Sequence, residues 1–154
     1  MKIDLKWDKP ARLRDGARQN QIYRCADLAR FPRKPGIYVF ARKFGKNVYP
    51  LYIGQATKLK SRIDGQLNNL RLMLGVKHAQ AGKRILLVAR VKLKRGQQAG
   101  KVLDIVESAL IKHALVQGHD LLNQQGTKTS VHTIRSKGNG DSRQVAPLTM
   151  YVEK

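Results

Sequence analysis

The chain has 154 residues, of which 42% are apolar, enough for one domain with its own core. Its 31 Lys and Arg against 10 Asp and Glu leave a net charge of +21, spread along the whole length. Solubility needs only about 2–8 charges on a small domain, so a field this large points to a polyanionic partner, nucleic acid first. There is no apolar run long enough to span a bilayer and no basic amphipathic stretch with a bulky aromatic face to suit a membrane surface.

The charged N-terminus, MKIDLKWDKP, has no apolar signal core, so an intracellular protein, cytoplasmic or nucleoid-associated, is expected. Residues 1–35 are polar, basic and broken by Pro10, Gly16, Pro32 and Pro35, which predicts an extension with one short helix around Ile22–Arg30. The lone cysteine within it, Cys25, excludes an intramolecular disulfide and a cysteine-built zinc cage, and reads as a packing residue. GIYVFARKF and VYPLYIG, separated by Gly45-Lys46-Asn47, predict a β-hairpin. Pro50 cannot donate to a ladder, so the second strand should be an edge or carry a bulge there. Leu59, Ile63, Leu67, Leu70 and Leu74 share one helical face, predicting a helix over 57–74. A strand follows in RILLVARVKL, then a helix over 101–117 stopped by Gly118. Beyond Gly126 the chain is polar, with short strands expected near 130–134 and 148–152. The order β-β-α-β-α, with appendages at both ends, predicts an α+β fold: a small antiparallel or mixed sheet flanked by helices. Its divisions are an N-terminal extension (1–35), a core (36–126) and a C-terminal extension (127–154).

Glu107 stands out on the second helix. At 100° per residue Lys101, Asp104, Ser108 and Lys112 form a polar arc, whereas Glu107 has Leu103, Leu110, Ile111 and Ala114 as neighbours. A carboxylate in such a setting must be protonated, paired with a cation or metal-bound, and a hard ion such as Mg²⁺ suits it. Arg62 lies at the edge of the first helix's apolar stripe, where a guanidinium can offer its planar fork to a phosphate. Taken singly it is a solvated surface arginine, Tyr38 and Tyr52 are strand packing, and Asn123 in DLLNQQG is a turn or cap residue. His78, His113, His119 and His132 form no metal-ligand pattern, and His113 is expected in the core.

Together these residues resemble a known signature. Gly36-Ile37-Tyr38 and Tyr52-Ile53-Gly54 are similar to the two halves of the GIY-YIG nuclease motif, and YIGQATKLKSR resembles the family's turn into its first helix, bringing Arg62 to the arginine position. VESALIKHAL resembles the helix that carries the metal-binding glutamate, here Glu107, and Asn123 suits the closing asparagine. The resemblance covers residues 36–123. It departs from the family in the long interval between the tyrosines (39–51), in Gln55 where several members have lysine, and in the long interval from Glu107 to Asn123.

The resemblance implies a divalent-metal-dependent endonuclease. Glu107 would hold one Mg²⁺ or Mn²⁺, and Arg62 would bind the scissile phosphate. Tyr38 and Tyr52 would position or deprotonate water, the reading leaning to Tyr52, while Gly36 and Gly54 would serve as structural turns and Asn123 would orient Glu107 or a tyrosine. DNA is favoured over RNA as substrate, and one active site cutting one strand makes a homodimer the route to a double-strand break. Restriction, repair, toxin and mobile-element roles all suit this activity. The alternative is a catalytically inactive binding module on the same fold.

Overall fold

In the computed structural model, residues 2–123 and 131–153 are described. The elements are β1 (Asp4–Trp7), β2 (Ala11–Asp15), β3 (Tyr23–Cys25), β4 (Gly36–Phe44), β5 (Asn47–Ala56), α1 (Leu59–Leu67), α2 (Leu70–His78), β6 (Lys83–Lys92), α3 (Ala99–Val116), β7 (Val131–Arg135), α4 (Gly140–Val145) and β8 (Thr149–Glu153). The fold is α+β. Six strands form an antiparallel sheet in the order β3-β2-β6-β4-β5, with β1 also pairing to β6, and β7 and β8 form a separate antiparallel pair.

Both faces of the large sheet are covered, which explains the unbroken apolar run of β4, whose first six residues are all buried. Tyr38, Phe40, Leu86 and Val88 pack on one side with Leu59 and Ile63 of α1 and Met73 and Val76 of α2. Ile37, Val39, Ile53 and Ala89 pack on the other with Val102, Leu103, Val106 and Ile111 of α3. The strand β5 is the sheet edge, and its register against β4 slips between Phe40 and Ala41, so that Leu51 has no partner beside Pro50. A proline sits there without breaking a ladder.

The N-terminal region differs from its expected form. No α-helix occupies 22–30; β3 and a 3-10 turn (Leu28–Arg30) do, and β1 and β2 extend the sheet through β6. Cys25 is buried in the core, as expected of a packing residue, and burial pushes its thiol pKa up. The expected 57–74 helix is two helices. Asn68 Nδ2 donates to the Asp64 carbonyl at 3.0 Å, and the Asn69 side chain accepts from Leu72 N at 3.1 Å, capping a new start. Because the phase resets, Leu70 and Leu74 face solvent and Leu72, Met73 and Val76 are buried instead. His113 is exposed rather than in the core. The C-terminal strand pair lies close to its expected position, although Ser130 and the expected boundary at 126/127 fall outside the described residues.

Arg84 holds α2 against β6 without a carboxylate. Buried, it donates to the carbonyls of Val76 at 2.7 Å, Gly82 at 2.8 Å, Ala79 at 2.8 Å and Lys77 at 3.3 Å, satisfying the groups that the end of a helix leaves over. Replacing it with methionine strands those acceptors and is expected to cost about 2–3 kcal/mol. Urea denaturation should show a lower midpoint at unchanged slope.

Candidate active site

The edge strand β5 gathers the site around itself. Tyr38 on β4 and Gly54 on β5 are directly paired, and the Tyr38 ring crosses over Gly54: a Cβ added there would lie 2.5 Å from its Cζ and its hydroxyl. Gly36, at the start of β4, likewise has its Cβ direction filled by the Ala89 carbonyl and the Leu59 side chain. Neither glycine makes the expected turn. Both are in extended strand, and what each position demands is the absence of a side chain.

Tyr38 and Tyr52 are stacked, with ring centroids 6.1 Å apart and planes 25° from parallel. Sequence reasoning missed the residue that fixes them, Gln66 of α1. Buried, it donates from Nε2 to the Tyr38 hydroxyl at 2.9 Å and to the Tyr52 hydroxyl at 3.4 Å. Its Oε1 accepts from Asn69 Nδ2 at 3.2 Å, so the α2 cap fixes which way the amide points. A signal was present: Gln66 lies three residues after Ile63 and one before Leu67, on the apolar face of α1.

Arg62, exposed on the same helix, brings its guanidinium beside the Tyr38 hydroxyl, and within electrostatic reach of Tyr52 and Glu107. These negative and polarisable oxygens raise its pKa, the Tyr38 hydroxyl most. Glu107 approaches from α3, on the opposite face of the sheet, and is half-buried at the rim. Its pKa is raised, first by burial and also by the Asp104 carboxylate, against the opposing pull of Gln55 and Arg62. Asp104 is the second residue that sequence reasoning passed over. The Gln55 amide nitrogen bridges the two carboxylates, donating to Asp104 and, at 3.1 Å, to Glu107 Oε2.

The structure therefore brings Tyr38, Tyr52, Arg62 and Glu107 together. Asn123 is near but has a different task from the one expected. Its Nδ2 donates to the Ile53 carbonyl at 2.7 Å, and it makes no direct bond to Glu107 or either tyrosine among the described residues. Leu122 N donates to the Leu51 carbonyl at 2.7 Å, so this short segment ties down the free edge of β5 on either side of Tyr52. The buried Asn123 Oδ1 has no partner among the described residues.

Burial, then the neighbouring Tyr38, pushes the Tyr52 pKa up to about 12. A base working near neutrality needs the opposite shift. The Tyr38 hydroxyl accepts from Gln66 Nε2 and is fully buried.

Two acidic side chains with one neutral amide between them leave negative charge that a hard cation would offset, and carboxylate oxygens are the donors Mg²⁺ and Mn²⁺ take. Among the described residues no group of three or more His, Cys, Asp or Glu could hold a metal ion. No family model, curated protein or solved structure matches the chain.

An ultraviolet phenolate titration of wild type minus Tyr52→Phe should show a step near pH 12, with no Tyr52 ionisation around pH 10. Because the folded value lies above the unfolded one, stability from this group is full below about pH 10 and is lost as pH rises through the folded value. Gln66→Leu leaves two phenols short of a donor and should cost about 1–3 kcal/mol, read by thermal denaturation.

Proposed function

We propose that the chain is a divalent-metal-dependent endonuclease of the GIY-YIG type, hydrolysing phosphodiester bonds in DNA. The observation that carries this reading is a single guanidinium, that of Arg62, within electrostatic reach of two phenols and one carboxylate around the same strand. Phosphoryl transfer asks for this set: a cation on the phosphate oxygens, groups to orient and deprotonate water, and an acidic ligand for a metal.

Arg62, on the exposed face of α1, binds a non-bridging oxygen of the scissile phosphate and offsets charge that grows in the transition state. Tyr52 is protonated at neutral pH and orients the attacking water as a hydrogen-bonding group. Tyr38, buried beside Tyr52, accepts from Gln66 and holds the two rings in register around the water. Asn123 keeps the β5 edge rigid while this happens. Glu107 would hold Mg²⁺ or Mn²⁺, with Asp104 close enough to receive the ion's water shell. The ion, when bound, polarises the phosphate and stabilises the leaving oxygen.

DNA is favoured over RNA, and a homodimer is the route to cutting both strands. A second reading, a binding module without catalysis, has one observation in its favour: Gln55 already donates to both carboxylates where a cation would otherwise be needed.

Plasmid incubated with the protein should be nicked in Mg²⁺ or Mn²⁺ and spared in EDTA. Arg62→Ala should bind DNA and lose cleavage by about 10²–10³-fold, the cost of removing one transition-state donor. Glu107→Gln should fold and bind, yet fail to cut. Mn²⁺ should raise the melting temperature of wild type and not of Glu107→Gln, a readout independent of turnover. Because binding displaces a proton from a carboxyl whose pKa is raised, that stabilisation should grow with pH. Wild type that binds DNA and nicks nothing under either metal establishes the binding module.

A further inference from the structure

The N-terminal strands carry a second cluster of charge, remote from the one just described. In β2 the residues alternate: Ala11 and Leu13 are buried against the α1/α2 side of the sheet, and Arg12 and Arg14 point the other way. Arg24 on β3 is directly opposite Arg14, just as the buried Cys25 is opposite Leu13. Three guanidinium side chains therefore project from one face of a two-strand ribbon.

A fourth arrives from the connecting loop. Gly16 is buried at its base, where any Cβ would lie 2.8 Å from the backbone of Gln21 and Tyr23. Its carbonyl accepts from Gln19 N and Gln21 N, each at 2.9 Å, and its own N–H donates to Ile22 O at 3.2 Å. Asn20 closes the loop in the left-handed region at φ 55°. This bonded turn holds the 3-10 segment Ala17–Gln19, and Arg18 with it, against the ribbon.

The four arginines line one concavity of about 470 Å³, with Asp15 the sole carboxylate on its wall. None of the four makes an ion pair or a side-chain hydrogen bond among the described residues. Like charges placed directly opposite on paired strands repel, so the Arg14–Arg24 pairing is a cost to the free fold. It ceases to be one when anionic oxygens lie between the guanidinium groups, whose planar forks suit phosphate.

We infer that this cleft is a binding site for the sugar-phosphate backbone of nucleic acid, separate from the site of cutting. The inference rests on the nucleic-acid part of the proposed function and not on cleavage. The sheet order puts three strand intervals between β2 and β5 and four between β3 and β5, roughly 14–19 Å at the usual spacing. The arginines are also on the α3 side of the sheet, the side from which Glu107 reaches the site. A strand gripped at the cleft thus meets the Arg62–Glu107 region about four to six nucleotides further on, at about 3.4 Å per nucleotide. The N-terminal region then acts as a clamp that holds and aligns the substrate, reading phosphates and no bases.

The test uses the full chain in EDTA and a labelled mixed-sequence DNA duplex, with binding followed by anisotropy over a range of salt. One variant carries Arg12→Gln, Arg14→Gln, Arg18→Gln and Arg24→Gln. A charge-matched control carries Lys43→Gln, Lys46→Gln, Lys83→Gln and Lys137→Gln at exposed positions elsewhere. The arginine variant should fold with a melting temperature at least that of wild type, since repulsion is relieved. Its slope of log affinity against log salt should become shallower by about 2–4, near 0.9 for each phosphate that is no longer neutralised. The control should change far less. Equal losses in the two variants would overturn the inference, because binding would then follow net charge alone. So would an arginine variant that binds duplex like wild type while losing binding to phosphatidylglycerol vesicles, which would make the cleft a lipid site. Since no metal is present, a protein that never cuts DNA can still show the expected slopes, and the two proposals fail separately.

Discussion

A tyrosine ring needs room, and Tyr38 finds it only because its partner on the edge strand is a glycine. With Gly54 bare, the buried ring lies across β5, and Gln66, Tyr52 and Arg62 collect about its oxygen. Any larger residue at 54 would drive the ring away and scatter the cluster. The edge location matters equally. Only at the last strand of a sheet can a group from the α1 face and a group from the α3 face come within reach of one another, and Arg62 and Glu107 do so around β5. Leu122 and Asn123 in turn bond the strand's outer carbonyls, so the edge around which all this is arranged is held from outside as well.

Elements with strong local signals were legible in the sequence. The hairpin of β4 and β5, the β6 strand, α3 and its Gly118 stop follow from β-branched runs, a 3.6-residue period and a glycine that adopts φ 82°. Tyr38, Tyr52, Arg62 and Glu107 were each singled out from the sequence, and the fold gathers them around one edge strand. What stayed hidden depends on partners far along the chain. The strands β1, β2 and β3 are three to five residues long and mostly polar; β1 and β2 exist because β6 offers them a ladder, and β3 because β2 does. No local pattern announces that. The break between α1 and α2 was readable in Asn68-Asn69, where an amide can end one helix and cap the next, but the leucine spacing across it imitates a continuous stripe. Gln66 was overlooked because a polar residue on an apolar face shows its purpose only once its two phenolic acceptors are known.

On the proposed function, the two charge centres would divide the labour of handling a polyanion. A net charge of +21 would attract any polyanion from every direction and fixes no register. Register requires cations held in place. The Gly16–Gln21 loop and the Arg14–Arg24 pairing hold such cations at one end of the sheet, and α1 holds Arg62 at the other. Between them runs a sheet with covered faces, so strand spacing would set the distance from the proposed grip to the proposed chemistry.

If Glu107 carries a catalytic metal beside Arg62 and the paired tyrosines, the ion itself should be visible there. Crystals soaked in Mn²⁺ and measured at an anomalous wavelength would reveal it. One strong anomalous peak is expected within coordination distance of a Glu107 carboxylate oxygen, on the side facing Arg62, and it should vanish in Glu107→Gln crystals. A Mn²⁺ bound elsewhere while Glu107 remains bonded only to Gln55 would contradict the metal-dependent mechanism, and would leave a protein that grips nucleic acid without cutting it.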